Sequence, residues 1–155
     1  MSLGLSKQMN KKLIKDIDLC RRIQKHHGRS YYFATKFFTK KVRYATYVLY
    51  AFFRIPDELV DDAGVRDPEK SLKSWIAKWQ IAYKNRSHED SVLNAASWVF
   101  HEYQIPYKYS ESFLGAMLMD LTKKKYSNYK ELKEYMYGSA AVVGLMMTHV
   151  IGFSD

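Results

Sequence analysis

The chain is poor in the residues that would tie it together covalently or break it up. A single cysteine, Cys20, excludes an internal disulfide and a thiolate zinc site, and makes a reducing compartment the expectation. Cys20 itself reads as a buried, inert thiol. Only three prolines and seven glycines punctuate 155 residues. No Asn-Gly or Asp-Gly pair marks a hairpin, and no stretch alternates strictly between apolar and polar. A sheet fold is therefore not expected. The opening residues show no apolar run followed by a small-residue cleavage site, so no secretory leader is expected, and residues 1–9 read as flexible or partly tag-derived. Acids are also scarce: 16 Asp and Glu stand against 25 Lys and Arg, a net charge of +9. Such a surface attracts anions without choosing among nucleic acid, phosphorylated small molecules and acidic lipid.

Hydrophobic residues make up 47% of the chain, enough for a single domain with a substantial core. The punctuation that does exist is helical. Asp67-Pro68-Glu69 combines an N-cap, a proline at the first helical position and an acid in the first turn. Ser87-His88-Glu89-Asp90 and Asn128-Tyr129-Lys130-Glu131 carry an acid three residues after a capping residue. Pro106 marks another boundary. These signals predict an all-α bundle of about six helices over 10–27, 40–62, 69–84, 89–103, 109–125 and 129–151. Residues 135–154 lack formal charge, but Gly138, Ser139, Gly144, Thr148, His149 and Gly152 favour a buried, closely packed helix over a membrane span.

In the second predicted helix, Val42, Ala45, Val48, Leu49, Phe52 and Phe53 recur at helical spacing and form a core face. A second stripe holds Arg43, Tyr47, Tyr50, Arg54, Asp57 and Asp61 at alternating steps of four and three. It ends in FFRIPDELVDD, where four acids fall within six residues. Pro56-Asp57-Glu58 fits the first turn of a solvated new helix, and equally a longer helix that runs through Pro56. Carboxylates at i and i+4, such as Asp57 and Asp61, lie about 6 Å apart. They repel by about 0.7 kcal/mol in water and nearly 3 kcal/mol at an effective dielectric of 20. Facing a cleft, the pair would need a cation or a proton. Oxygen ligands alone suit Mg²⁺, which joins one or two carboxylates to a substrate phosphate. Arg54, one turn earlier, is placed to grip the same phosphate. His26, His27, His88, His101 and His149 show no metal-ligand spacing and receive no chemistry.

Arg54-Ile55-Pro56-Asp57-Glu58-Leu59-Val60-Asp61, preceded by YVLYAFFR, resembles the first aspartate-rich DxxxD motif of the squalene/phytoene synthase family. Two further blocks follow that family's order. His27-Gly28-Arg29-Ser30-Tyr31-Tyr32-Phe33-Ala34 resembles its His-Ser-(Lys/Arg)-Ser-Phe diphosphate-binding segment. Tyr135-Met136-Tyr137-Gly138-Ser139-Ala140-Ala141-Val142-Val143-Gly144-Leu145-Met146 resembles its Tyr-Cys-Tyr-x-Val-Ala-Gly-Thr-Val-Gly-Leu-Met signature. Met119-Asp120-Leu121 lies where the family carries an aspartate.

The resemblance implies an all-α isoprenoid synthase, a transferase of isoprenoid and carotenoid biosynthesis that condenses two prenyl diphosphates head-to-head with Mg²⁺. Farnesyl or geranylgeranyl diphosphate is the implied substrate. By the same resemblance Asp57 and Asp61 would bind the metal, and Arg54 the leaving diphosphate. Ser30, Arg29 and Tyr50 would contact phosphate, while Tyr137 and Asp120 would lie by the reaction centre. The cysteine content makes the cytoplasm the expected location. A basic face that meets anionic lipid adds an expected peripheral contact at a membrane surface, and no nucleic-acid partner is expected. The residue-level alternative is a non-catalytic basic helical module that binds RNA or another polyanion.

The chain departs from the family pattern at Gly28, which replaces a serine, at Ala141-Val142, which replace Gly-Thr, and at Pro56. It also lacks a second aspartate-rich motif. The span therefore reads as the N-terminal part of a larger enzyme or a degenerate homologue, and catalysis by it alone is not expected.

Overall fold

The computed structural model describes residues 10–153 and is helical throughout, without strands among those residues. The helices are α1 (Lys11–His27), α2 (Arg29–Thr35), α3 (Lys40–Asp61), α4 (Pro68–Asn85), α5 (Ser91–Glu102), α6 (Tyr107–Thr122), α7 (Tyr129–Met136) and α8 (Val142–Ile151). A π-helical turn, Tyr137–Ala141, joins the last two. The expectation for residues 1–9 lies outside the described residues.

Several starts follow from capping chemistry. Asp67 accepts from the Lys70 backbone N–H at 3.0 Å, and Asn128 from that of Glu131 at 3.0 Å. The Glu131 carboxylate turns back to accept from the Ser127 backbone N–H at 2.8 Å. These contacts satisfy donors that a helix N-terminus leaves unpaired. At the third predicted start the cap is Asp90, which accepts from Val92 and Leu93, so α5 begins two residues later than the sequence suggests.

Two larger differences raise the expected count of about six helices to eight among the described residues. Residues 29–35, left without a predicted element, form α2; Gly28 lets α1 end and α2 begin at once. The single helix expected over 129–151 is broken by the π turn, in which the Val142 N–H reaches back five residues to the Tyr137 carbonyl. Gly138 at its centre is buried against α6, where an added Cβ would lie 2.3 Å from the Ser112 carbonyl oxygen. That close approach is available only to glycine. The same span is not wholly buried: Val142, Met146 and Val150 face the core, whereas Met136, Leu145 and Ile151 are exposed. No helix among the described residues is long and apolar enough to cross a membrane.

Helix α3 is the hub, packing against α1, α2, α4, α5, α6 and α8. Of its predicted core face, Ala45, Val48, Leu49 and Phe52 are fully buried, with Val42 and Phe53 packed at the edge. The Phe52 ring meets Trp79, Trp75 and Phe100 at centroid separations of 4.8, 5.1 and 5.5 Å. Tilted and edge-to-face pairs of this kind add to simple area burial. The Trp79 indole N–H donates to the Ser110 hydroxyl at 2.9 Å, so the polar end of the largest buried side chain is satisfied. At the α1–α5 contact, buried Asp16 accepts from Lys12 at 2.9 Å and from the Asn94 amide at 2.7 Å. Cys20 is fully buried, as expected, and burial pushes its thiol pKa upward.

Candidate diphosphate-binding site

Pro56 does not start a new helix. It lies buried inside α3, which runs from Lys40 to Asp61 in one piece. The acids therefore continue the stripe that begins with the tyrosines, and the stripe divides according to what it meets. Arg43 and Tyr47 lie beneath α2, where Tyr47 stacks on Tyr32 at 5.9 Å and Arg43 donates to the Phe38 carbonyl at 3.2 Å. Tyr50, Arg54 and Asp57 border a cavity of about 540 Å³. Asp61, one turn further, is exposed at the end of α3 and is not among the cavity-lining residues.

The cavity has a polar end and an apolar body. Tyr31 and Phe38 come from the α2 region, Leu49 and Phe53 from α3, Phe113 and Met117 from α6, and Val143 and Met147 from α8. At the polar end the Arg54 guanidinium bridges two carboxylates, with Nη1 3.1 Å from Asp57 and Nε 3.1 Å from Glu58. Glu58 is also 3.2 Å from Nδ1 of His27. A chain of polar contacts thus runs from α1 into the cavity through His27, Glu58, Arg54 and Asp57. Burial and then the neighbouring Asp61 charge raise the Asp57 carboxyl above its ordinary range; Glu58 and Asp120 add to the rise, and Arg54 opposes it. Burial also raises the Tyr50 phenol.

The other expected residues sit around this centre. Asp120, near the end of α6, is close enough for its charge to reach both Asp57 and the Tyr135 phenol. Burial, and then Asp120, push the Tyr135 phenol up to about 12. Tyr137 opens the π turn and is 44% exposed, outside the cavity lining. Ser139, Val143 and Met147 supply that wall. Arg29 lines a separate basic depression with Arg22, Lys25 and Lys36, and Ser30 is exposed beside it.

Sequence reasoning also missed Gln24 and Thr35. The Gln24 amide donates to the Thr35 hydroxyl at 3.2 Å, which in turn donates to the Tyr31 carbonyl at 2.6 Å. The Gln24 carbonyl oxygen is left buried at the cavity wall without a partner. A polar residue within the apolar face of α1 was the only available signal.

A squalene/phytoene synthase family model matches residues 24–155. The chain belongs to the squalene/phytoene synthase family. It is 27% identical over 148 residues to a phytoene synthase of Cereibacter sphaeroides, covering 90% of this chain and 42% of that protein. It is 31% identical over 138 residues to a chloroplastic phytoene synthase of an Oncidium hybrid cultivar, covering 87% of this chain and 33% of that one. Among solved structures, a dehydrosqualene synthase in complex with ligand superposes at a TM-score of 0.80 with 26% identity, over 90% of this chain and 48% of the other. A squalene synthase from Alicyclobacillus acidocaldarius superposes at 0.84 with 22% identity, a likeness of fold, over 95% and 55% of the two chains. The chain spans less than half the length of these two phytoene synthases. In the squalene/phytoene synthase frame, the DxxxD segment is the end of α3, and the three resemblance blocks lie on α2, α3 and the α7–π turn–α8 run, all of which contribute to the cavity wall.

Proposed function

We propose that the chain forms the diphosphate-binding wall of a Mg²⁺-dependent synthase that joins two prenyl diphosphates head-to-head, with farnesyl or geranylgeranyl diphosphate as substrate. The observation that carries this reading is the meeting of Arg54 and Asp57 with a largely aromatic and aliphatic cavity. A diphosphate needs the first environment and its prenyl chain the second.

The donor set fits Mg²⁺. Among the described residues no three His, Cys, Asp or Glu side chains stand close enough to hold a metal by themselves. Mg²⁺ does not need them, because one or two carboxylates plus substrate phosphate suffice. The Asp57 carboxyl is raised first by burial and then by the Asp61 charge, and a cation at Asp57 and Asp61 would offset both. When bound there, Mg²⁺ would draw charge from the leaving diphosphate.

The remaining steps belong to the chain's own residues. Arg54 turns from Asp57 and Glu58 to the diphosphate, exchanging one oxygen of each carboxylate for two phosphate oxygens. Tyr50 closes the polar end, and Ser30 and Arg29 would meet phosphate only outside the cavity, at the separate basic depression. Tyr31, Phe53 and Phe113 present aromatic surface to an allylic cation, and the aliphatic wall keeps out the water that would quench it. Tyr135, holding its proton, stands by Asp120, and Tyr137 borders the reaction centre from outside the cavity lining. The chain alone binds substrate without turning it over, because the acids that would face Asp57 across the cavity are absent from its sequence.

Calorimetric titration of the 155-residue chain with farnesyl thiodiphosphate tests this. Binding is expected to require Mg²⁺ and to weaken at least about tenfold in Asp57→Ala/Asp61→Ala, the loss of one good charge-assisted contact. Equal binding with and without Mg²⁺ in both proteins would sink the metal assignment. Turnover of farnesyl diphosphate by the isolated chain would show that the reaction needs no second acidic motif.

A further inference from the structure

The basic depression that holds Arg29 lies apart from the cavity, on the outer corner formed by α1 and α2. Arg22, Lys25, Arg29 and Lys36 border its roughly 500 Å³, and no Asp or Glu does. From Lys25 to Lys41 the sequence carries five Lys or Arg residues and no acid. The nearby acid on α1, Asp18, is already engaged by Arg21 at 2.8 Å and Arg22 at 3.3 Å.

Beside these cations stand aromatic side chains that a freely dissolved surface would normally hide. Phe37 is 78% exposed, Tyr31 70% and Phe33 62%. The Phe33 and Phe37 rings meet edge-to-face, 5.5 Å apart at 79°, and so present a blunt apolar wedge rather than the parallel platform on which nucleotide bases stack. A helical surface with a basic rim and a bulky apolar tip has the chemistry of an interfacial anchor. Tyr31, which belongs to this corner, also borders the apolar cavity, so the wedge and the cavity wall are continuous.

We propose that the α1–α2 corner is a membrane-docking surface. Arg22, Lys25 and Lys36 engage anionic lipid headgroups, and Phe33 and Phe37 enter the boundary between headgroups and acyl chains. This assignment is independent of the proposed reaction, because it uses no residue of the Arg54–Asp57 centre and its test uses no substrate.

Flotation of the 155-residue chain with vesicles of phosphatidylcholine, alone or mixed with phosphatidylglycerol, tests it at low and high salt. Partitioning is expected to favour the anionic vesicles and to weaken with salt. Arg22→Glu/Lys25→Glu/Lys36→Glu should weaken it on the order of 100-fold. Phe33→Ser/Phe37→Ser should weaken it by at least about tenfold and leave the salt dependence in place. Lys73→Glu/Lys78→Glu/Lys84→Glu, an equal charge change on exposed positions of α4, should alter it by no more than about threefold. Circular dichroism checks that each variant folds. If the α1–α2 charge variant does not, Lys25→Glu and Lys36→Glu tested singly should each weaken binding about fivefold. The proposal is overturned if the α4 variant loses as much as the α1–α2 variant, since net charge would then explain the binding. It is overturned equally if the phenylalanine variant floats like the parent, or if phosphatidylcholine alone captures the chain as well. Undiminished flotation of that variant together with competition by single-stranded RNA would make the corner a polyanion groove instead.

Discussion

The phenol of Tyr50 closes directly over Gly28. A Cβ added at position 28 would lie 2.6 Å from the Tyr50 hydroxyl oxygen and 2.7 Å from the ring carbon that bears it. Gly28 does not have a left-handed backbone, with φ at −129°, so its requirement is for space and not for conformation. The glycine that replaces a serine of the family motif is thus the counterpart of a tyrosine that borders the cavity. Gly28→Ala should force the ring outward into the cavity and lower stability by about 1–3 kcal/mol. Removing the ring in Tyr50→Ala should make the alanine at 28 nearly neutral. Urea unfolding of the four proteins of the cycle measures the coupling. Independent, additive effects of the two changes would show that the contact is not what keeps position 28 a glycine.

Gly138 meets backbone rather than a side chain, and the consequence is harsher. A Cβ added there would fall 2.3 Å from the Ser112 carbonyl oxygen and 2.9 Å from the Ala116 Cβ, so α6 and the π turn would have to separate. Gly138→Ala should destabilise by about 3 kcal/mol. Gly144, further along in α8, has nothing within 4 Å of the corresponding position. Gly144→Ala should therefore stabilise by about 0.5–1 kcal/mol through helix propensity alone. Opposite signs for these two glycine-to-alanine changes are the expected outcome in thermal or urea unfolding. Equal effects would mean that the π turn is not pinned by this contact.

Gln24 carries an unmade hydrogen bond. Its amide serves Thr35, but its carbonyl oxygen is buried without a partner. Gln24→Met keeps length and volume and removes that oxygen. Thr35 retains its own bond to the Tyr31 carbonyl. The variant should gain about 1 kcal/mol, because a buried unsatisfied polar group costs about 1–3 kcal/mol and the lost Gln–Thr bond returns part of it. A fall in the urea midpoint would indicate that the carbonyl is satisfied in solution.

What the sequence disclosed was what depends on neighbours along the chain. Caps at Asp67 and Asn128, the core face of α3 and the buried thiol all follow from spacing within one helix, and the structure has them. The four-three stripe carries Tyr50, Arg54 and Asp57 to one cavity because an α-helix keeps such positions on one side. Features set by contact between distant segments were not legible. A single expected helix over 129–151 gave no sign of the π turn, which contact with α6 at Gly138 fixes, and this run lines the cavity through Ser139, Val143 and Met147. Helix α2 is invisible in the sequence because seven residues give too little periodicity to read. His27 gains a partner only where α1 lies beside the end of α3, placing Glu58 3.2 Å away.

Asp57 connects the electrostatics of the cavity to a measurable pH dependence. Its carboxyl is raised above the ordinary value of 3.8, first by burial and then by Asp61, against the pull of Arg54. A carboxyl whose pKa is higher folded than unfolded binds its proton more tightly in the native state. Stability is then lost as pH rises from the unfolded value through the folded one, and the deficit is fully present above both. Asp57→Asn removes that deficit while leaving Arg54 its contact with Glu58. The variant should therefore be more stable than the parent at pH 7, and the difference should shrink as pH falls below about 4. Millimolar Mg²⁺ at pH 7 should raise the parent's unfolding midpoint and narrow the gap, because a cation offsets the same repulsion. Thermal unfolding of both proteins at pH 4 and pH 7, with and without Mg²⁺, reads these differences. If Asn at position 57 weakens the fold at neutral pH, Arg54 holds Asp57 more strongly than the acids around it repel it. An equal response of both proteins to Mg²⁺ would remove Asp57 from the metal's ligands and leave Asp61 without the partner on which the proposed chemistry depends.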